Sequence, residues 1–111
     1  ARSAFYEQAR QFLEPYDALL SPQMPCVAWR VTEFLFPIDG RPVTDLFGRL
    51  PFTFPFNMTG WPAASVPCGF NSEGLPAALQ IVTKWHQDAL CLRLSAAFEA
   101  AAPWAEKVPA L

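Results

Sequence analysis

Twelve prolines are spread through 111 residues, and they decide early what this chain cannot be. Each proline fixes its own φ and lacks a backbone N–H, so it ends helices and stays out of central strands. Here prolines interrupt the apolar runs, and no stretch approaches the roughly 18 apolar residues of a membrane-spanning helix. That exclusion matters because the chain is otherwise very apolar. Hydrophobic residues make up 52% and charged residues 16%, against about 25% charged in ordinary domains. A chain this short has a high ratio of surface to volume and should be more polar than average. The apolar excess therefore predicts that part of its surface is covered by other protein. The length suits one small domain with one modest core.

The formal net charge is −2 and the basic residues are scattered. Nothing forms a phosphate-binding stripe, so nucleic acid is not an expected partner. Cys26, Cys68 and Cys91 are odd in number and widely spaced, which predicts buried free thiols in a reducing, cytoplasmic setting. There is no CxxC, and His86 is the sole histidine, so neither a metal nor a cofactor is expected. No secretory signal is visible, and Asn57-Met-Thr59 therefore reads as a chance match to the glycosylation sequon. Ala1 in first place fits a chain that begins partway through a longer protein, and equally fits removal of Met.

Along the chain, Phe5, Ala9, Phe12 and Leu13 recur at helical spacing and predict a helix over residues 3–14, capped by Ser3 and stopped by Pro15. Asp17–Ser21 reads as a short strand ended by Pro22. Residues 22–44 carry four prolines and Gly40, and read as a long irregular loop with a short strand near Ala28–Thr32. Loops of this length are uncommon in compact domains and are often functional. A short helix capped by Thr44 or Asp45 is expected over residues 44–51. Ala63–Cys68 and Pro76–Thr83 read as two strands joined by the turn Asn71-Ser-Glu-Gly74, a hairpin in which Pro67 demands an edge or a bulge. Leu90, Leu94, Ala97, Phe98 and Ala101 predict the strongest helix, over residues 87–101, with Asp88 in its first turn. The fold class is α/β: a short mixed sheet that includes the hairpin, with helices packed on it. Pro103–Leu111 reads as an irregular tail.

No nucleophile stands out. Ser3, Ser21, Ser65, Ser72 and Ser95 lie in no G-x-S-x-G and in no glycine-rich run, and neither Lys84 nor Lys107 pairs obviously with a serine. Cys68 with His86 makes a conceivable pair, although Cys68 at the end of a strand reads more simply as a buried small hydrophobe. Glu73 in the turn reads as a solvated carboxylate. Trp85 and His86, at the junction of strand and helix, form either a pocket or a structural corner, the corner being the commoner outcome. Between Phe47 and Trp61, five large aromatics are mixed with prolines and follow neither period 2 nor period 3.6. Such a segment either lines an apolar pocket or plugs a core, and the residues alone leave both open.

The run Pro55-Phe-Asn-Met-Thr-Gly-Trp-Pro-Ala-Ala-Ser-Val-Pro-Cys-Gly69 resembles the late part of the amidase-signature family. Gly74-Leu-Pro-Ala-Ala-Leu-Gln-Ile-Val82 and Asp88-Ala-Leu-Cys-Leu-Arg-Leu-Ser-Ala-Ala-Phe-Glu99 continue the likeness in order. Upstream, Tyr16-Asp-Ala-Leu-Leu-Ser-Pro22 resembles the family's strand that leads into a proline-rich loop, and Pro103-Trp104 is similar to its chain ends. Residues 23–50 are the least typical. The resemblance implies that residues 1–111 are a single carboxy-terminal segment of a larger amidase domain. It also implies hydrolysis of a carboxamide to carboxylate and ammonia by a Ser–cis-Ser–Lys triad. That triad falls upstream of the matched region, so no catalytic residue is expected here and the segment alone should be inactive.

What the resemblance assigns to this segment is one wall of the substrate pocket, with Phe47, Leu50 and Phe54 as the substrate-binding candidates. The family's glutamine-using amidotransferase subunit is similar but carries an aspartate where Leu50 stands. Leu50 offers no charge-assisted bond to an ammonium, so an apolar or aromatic carboxamide is expected. The alternatives are a piece of a glutamine-dependent amidotransferase subunit, or a non-catalytic interaction module derived from the family. The expected partners are the rest of the parent chain, a small amide substrate and, for the segment by itself, other copies of the same segment, with no nucleic acid and no membrane.

Overall fold

A computed structural model describes residues 1–33 and 36–107. The elements run α1 (Arg2–Leu13), β1 (Ala18–Pro22), a single 3-10 turn (Phe47–Arg49), α2 (Phe54–Thr59), β2 (Ala63–Phe70), β3 (Pro76–Thr83) and α3 (Asp88–Ala101). The α/β class and the hairpin are present, but the sheet, three strands in the order β1-β3-β2, is antiparallel in both pairings rather than mixed. Among the described residues, no helix is long and apolar enough to cross a membrane.

The central strand, β3, organises everything else. Successive side chains of a strand point to opposite faces, and here both faces are covered. Ile81 joins Val66 and Cys91 in one cluster, flanked by Leu94 and Phe98 of α3. Val82 joins Leu13 of α1 and Trp61 in the other, flanked by Tyr6, Ala9, Leu19 and Phe56. The result is three layers: α3, the sheet, then α1 with α2. Burial on both faces is why the adjacent Ile81 and Val82 break the apolar–polar alternation of a half-exposed strand.

The hairpin follows its sequence signals. The Asn71 Oδ1 accepts from the N–H groups of Glu73 (3.0 Å) and Leu75 (2.8 Å), which closes the turn. The register shifts between Pro67 and Gly69, a bulge on an edge strand, and this is where a proline that cannot donate to the ladder is tolerated. The first strand runs on to Phe70, two residues beyond its expected end.

Several expectations are corrected. Ser3 does not cap α1, which begins at Arg2 with no side-chain cap. Phe12 is 62% exposed rather than buried and lies against the Tyr16 ring instead. Residues 28–32 form no strand. The nearby pairing is the bridge Ile38↔Arg41, closed over Asp39 (φ +50°) and Gly40 (φ +70°). Asp-Gly at two consecutive positive-φ positions is the signature of a tight mirror-image turn. The helix expected over residues 44–51 shrinks to one 3-10 turn, with the Asp45 carboxylate accepting from Gly48 N–H at 2.9 Å. On α3 the buried position is Cys91, and Ala97 faces solvent. Of the three cysteines expected to be buried, only Cys91 is; Cys26 is half-buried and Cys68 is exposed, because the bulge turns Cys68 away from the core. Residues 108–111 of the expected irregular tail lie outside the described residues.

Candidate functional site

The segment from Phe47 to Trp61 divides by depth. Phe56 packs on the core and Trp61 is part of it, so the core reading holds for these two rings. Phe47 and Phe54 do not enter the core. They are 58% and 38% exposed, and their rings meet edge to face with centroids 4.7 Å apart.

Local backbone bonds bring them together. Leu50 N–H donates to the Phe47 carbonyl at 3.1 Å, and the Leu50 carbonyl accepts from Thr53 N–H at 3.3 Å and Phe54 N–H at 3.0 Å. Pro55 sits at the start of α2, where its missing N–H costs nothing. Gly60 ends α2 with φ +70°, and its N–H closes on the Phe56 carbonyl at 2.9 Å, the left-handed stop that glycine makes without strain. The three sequence-derived candidates thus form one patch: two exposed rings, with Leu50, half-buried, bonded through its backbone to both residues. None of the three side chains carries a charge.

Two anchors of this patch were not singled out from the sequence. Arg49 is fully buried, with its guanidinium carbon 4.6 Å from the ring centroids of both Trp29 and Phe36. A cation between two aromatic faces is held by their ring quadrupoles, and this clasp ties the 22–44 loop to the 3-10 turn. Gln80, also buried, donates from its Nε2 to the Phe52 carbonyl at 2.7 Å and to Ser21 Oγ at 3.1 Å. A signal existed for the first: an arginine beside an aromatic-rich loop. For Gln80 there was none, because a polar residue in a strand ordinarily reads as facing out.

Two apolar grooves lie elsewhere. One of about 660 Å³ is bounded by Pro67–Phe70 and the tail around Trp104. The other, of about 680 Å³, runs under Met24–Trp29 beside Ala77–Leu79. Neither is lined by Phe47, Leu50 or Phe54. Cys68 borders both grooves beside the bulge, whereas His86 follows the opposite end of β3 and stacks on Trp85 at 4.6 Å. The hairpin separates them, so no Cys–His pair forms. Trp85 meets Tyr6 edge to face at 6.5 Å, and the two border a small cleft of about 180 Å³ with Trp61 and Lys84, so the junction is a corner that also walls a cleft. Lys84 Nζ donates to the Glu14 carbonyl at 2.9 Å and Ser95 Oγ to the Cys91 carbonyl at 2.8 Å. Among the described residues no serine hydroxyl bonds a lysine, and no cluster of three His, Cys, Asp or Glu is arranged to hold a metal.

Comparison with known proteins matches this arrangement to one group. The family described as Amidase matches residues 1–92. An acylamidase of Rhodococcus erythropolis is 36% identical over 110 residues, which cover 98% of this chain and 23% of that protein. A glutamyl-tRNA(Gln) amidotransferase subunit of Thermosynechococcus vestitus is 33% identical, over 99% of this chain and 22% of its own length. Among solved structures, a bacterial aryl acylamidase of the amidase signature enzymes superposes with a TM-score of 0.83 at 30% identity, covering 98% of this chain and 24% of that one. A 6-aminohexanoate cyclic dimer hydrolase complexed with substrate superposes with a TM-score of 0.84 at 28% identity, over 97% and 24%. The chain thus spans about a quarter of the length of these relatives. With a family match over most of its length and a fold that superposes over nearly all of it, the chain belongs to the amidase family.

Proposed function

We propose that these 111 residues form a single carboxy-terminal segment of a larger amidase domain, whose whole chain hydrolyses an apolar or aromatic carboxamide. In that reaction the C–N bond breaks, water supplies the oxygen of the carboxylate, and ammonia leaves with the proton. The Ser–cis-Ser–Lys triad of the family lies outside this segment, which supplies fold and one pocket wall and has no hydrolytic activity alone. The observation that carries the reading is the exposed Phe47–Phe54 pair beside Leu50: a preformed apolar surface that takes an acyl group by excluding water from both. The likeness to an acylamidase supports it.

The test uses the full-length protein with benzamide, hexanamide and free glutamine as substrates. Benzamide or hexanamide is expected to give the higher kcat/KM. A strong preference for glutamine sinks the apolar-wall reading. It favours instead a glutamine-dependent amidotransferase, the reading that the likeness to the Thermosynechococcus protein supports. Leu50→Asp sharpens the choice, because it adds a carboxylate for an α-ammonium. It is expected to lower kcat/KM for benzamide about tenfold or more by placing a charge on an apolar wall.

The 111-residue chain alone exposes Leu20, Phe70 and Leu92. It is expected to self-associate at micromolar concentration to cover such faces, and a clean monomer in sedimentation velocity contradicts this.

A further inference from the structure

Gln80 occupies the middle of the central strand and is 2% exposed. A buried amide is costly unless its polar atoms are bonded, and this one reaches out of the sheet. One bond crosses to Ser21, its register partner on β1. The shorter, at 2.7 Å, goes to the Phe52 carbonyl, 28 residues away in sequence. Phe52 stands between Leu50 and Phe54. Phe56 N–H bonds the Thr53 carbonyl, so the carbonyl of Phe52 falls to Gln80 rather than to α2. Three residues earlier, Arg49 is clasped by Trp29 and Phe36. The irregular backbone is therefore held at residue 49 from the loop side and at residue 52 from the sheet side, and the apolar patch lies between and just beyond these points.

We propose that Gln80 is a positioning residue for specificity: by fixing the Phe52 carbonyl to the central strand, it sets where Phe47, Leu50 and Phe54 stand and so which acyl group the wall accepts. The inference rests on the pocket-wall reading above. The side-chain amide suits the task because its Nε2 presents two donors, one for each acceptor. Methionine of similar length donates nothing. An ionised glutamate turns a lone pair toward the Phe52 carbonyl, and only its protonated form donates.

The experiment uses the full-length enzyme and reads the ratio of kcat/KM for benzamide to that for acetamide. Both amides pass through the same chemical step, so the pH dependence of that step cancels in the ratio. Gln80→Met is expected to lower the ratio about tenfold through a raised KM for benzamide, because a displaced wall loses contacts to the acyl group in ground and transition state alike, while kcat for acetamide holds within about twofold. Gln80→Glu is expected to lose the preference at pH 8 and to regain it as the pH falls and the buried carboxyl takes up its proton. That reversal occurs within one folded protein and decides the matter if Gln80→Met does not fold. Equal losses on both amides, an unchanged ratio in Gln80→Met, or no recovery of Gln80→Glu in acid each overturns the role of Gln80. Phe54→Ala separates the two readings. If it leaves the ratio unchanged, the wall itself is wrong and this inference falls with it. If it lowers the ratio and Gln80→Met does not, the wall stands and Gln80 alone is dismissed.

Discussion

The β2–β3–α3 unit and the segment from Gln23 to Pro62 belong to the same small protein but are stabilised in different ways. In the first, a regular ladder satisfies the backbone and two packed clusters bury Ile81, Val82 and Cys91. In the second, backbone groups are met by turns and the short helix α2, and while Phe56 and Trp61 reach the core, Trp29, Phe47 and Phe54 remain on the surface. Its order comes from a few long-range attachments: the Arg49 clasp, the Gln80 bond, and Arg2 Nε donating to the Met58 carbonyl at 2.8 Å. The contrast shows how an irregular segment is made rigid enough to present a surface. Stability is concentrated in the sheet and its packed helices; Gln80 ties the segment to the sheet and Arg2 ties it to α1, while the Arg49 clasp braces the segment against itself.

The sharpest way to break this contrast is to truncate one side chain in each region of the full-length protein. Ile81→Ala removes buried methylenes from a packed cluster and is expected to cost about 2–5 kcal/mol. Phe47→Ala removes a mostly exposed ring and one edge-to-face contact, and is expected to cost about 1 kcal/mol. Urea midpoints at constant m compare the two. Equal shifts would mean that the irregular segment is as much a part of the cooperative core as the strand is.

An effect between these two is expected at the clasp. Arg49→Met keeps a long apolar stem but removes the cation between Trp29 and Phe36, at a cost of about 2 kcal/mol for a desolvated pair. The distinguishing readout is local. Limited proteolysis should begin to cut within residues 22–44 before the hairpin is touched, because only the loop side loses its attachment. Cleavage that appears in the hairpin and loop together would show that the two regions unfold as one.

The same division explains what can be read from the chain. Pro76–Thr83 is legible to the residue and α3 to within one, because their signals are local: a turn residue at Asn71, a proline at the bulge, an apolar stripe ending near Ala101. Residues 28–32 mislead because Trp-Arg-Val-Thr favours a strand by composition. Trp29 instead closes on an arginine 20 positions later, a contact that no period encodes. The cysteines mislead for a related reason. In sequence Cys68 looks like the end of a flat strand, and the bulge that turns it outward is a property of the pairing with Ala77 and Ala78. Phe47, Leu50 and Phe54 are reached through family likeness and aromatic density, and the turn that joins them needs only local bonds. Gln80 is beyond reach because its significance lies in the distant carbonyl it meets.

The smallest expected effect is also a test of depth. Burial between α3 and the sheet pushes the Cys91 thiol above its ordinary pKa, partly offset by hydrogen bonding with Thr83 and at the backbone of Ala64. A pKa raised on folding means that the native state holds its proton more tightly. The contribution to stability is therefore fully present below the unfolded thiol's pKa of about 8.5. It is lost as pH rises through the higher folded value, because the unfolded chain releases its proton first. The unfolding midpoint should accordingly decline above about pH 8.5 more steeply in the native chain than in Cys91→Ala. Alkylation by iodoacetamide supplies the complementary measurement: Cys68, exposed at the bulge, should react first, and Cys91 only on unfolding. Rapid native-state labelling of Cys91 would show that α3 lifts readily from the sheet, and the β2–β3–α3 unit could then not serve as the rigid support for the irregular segment.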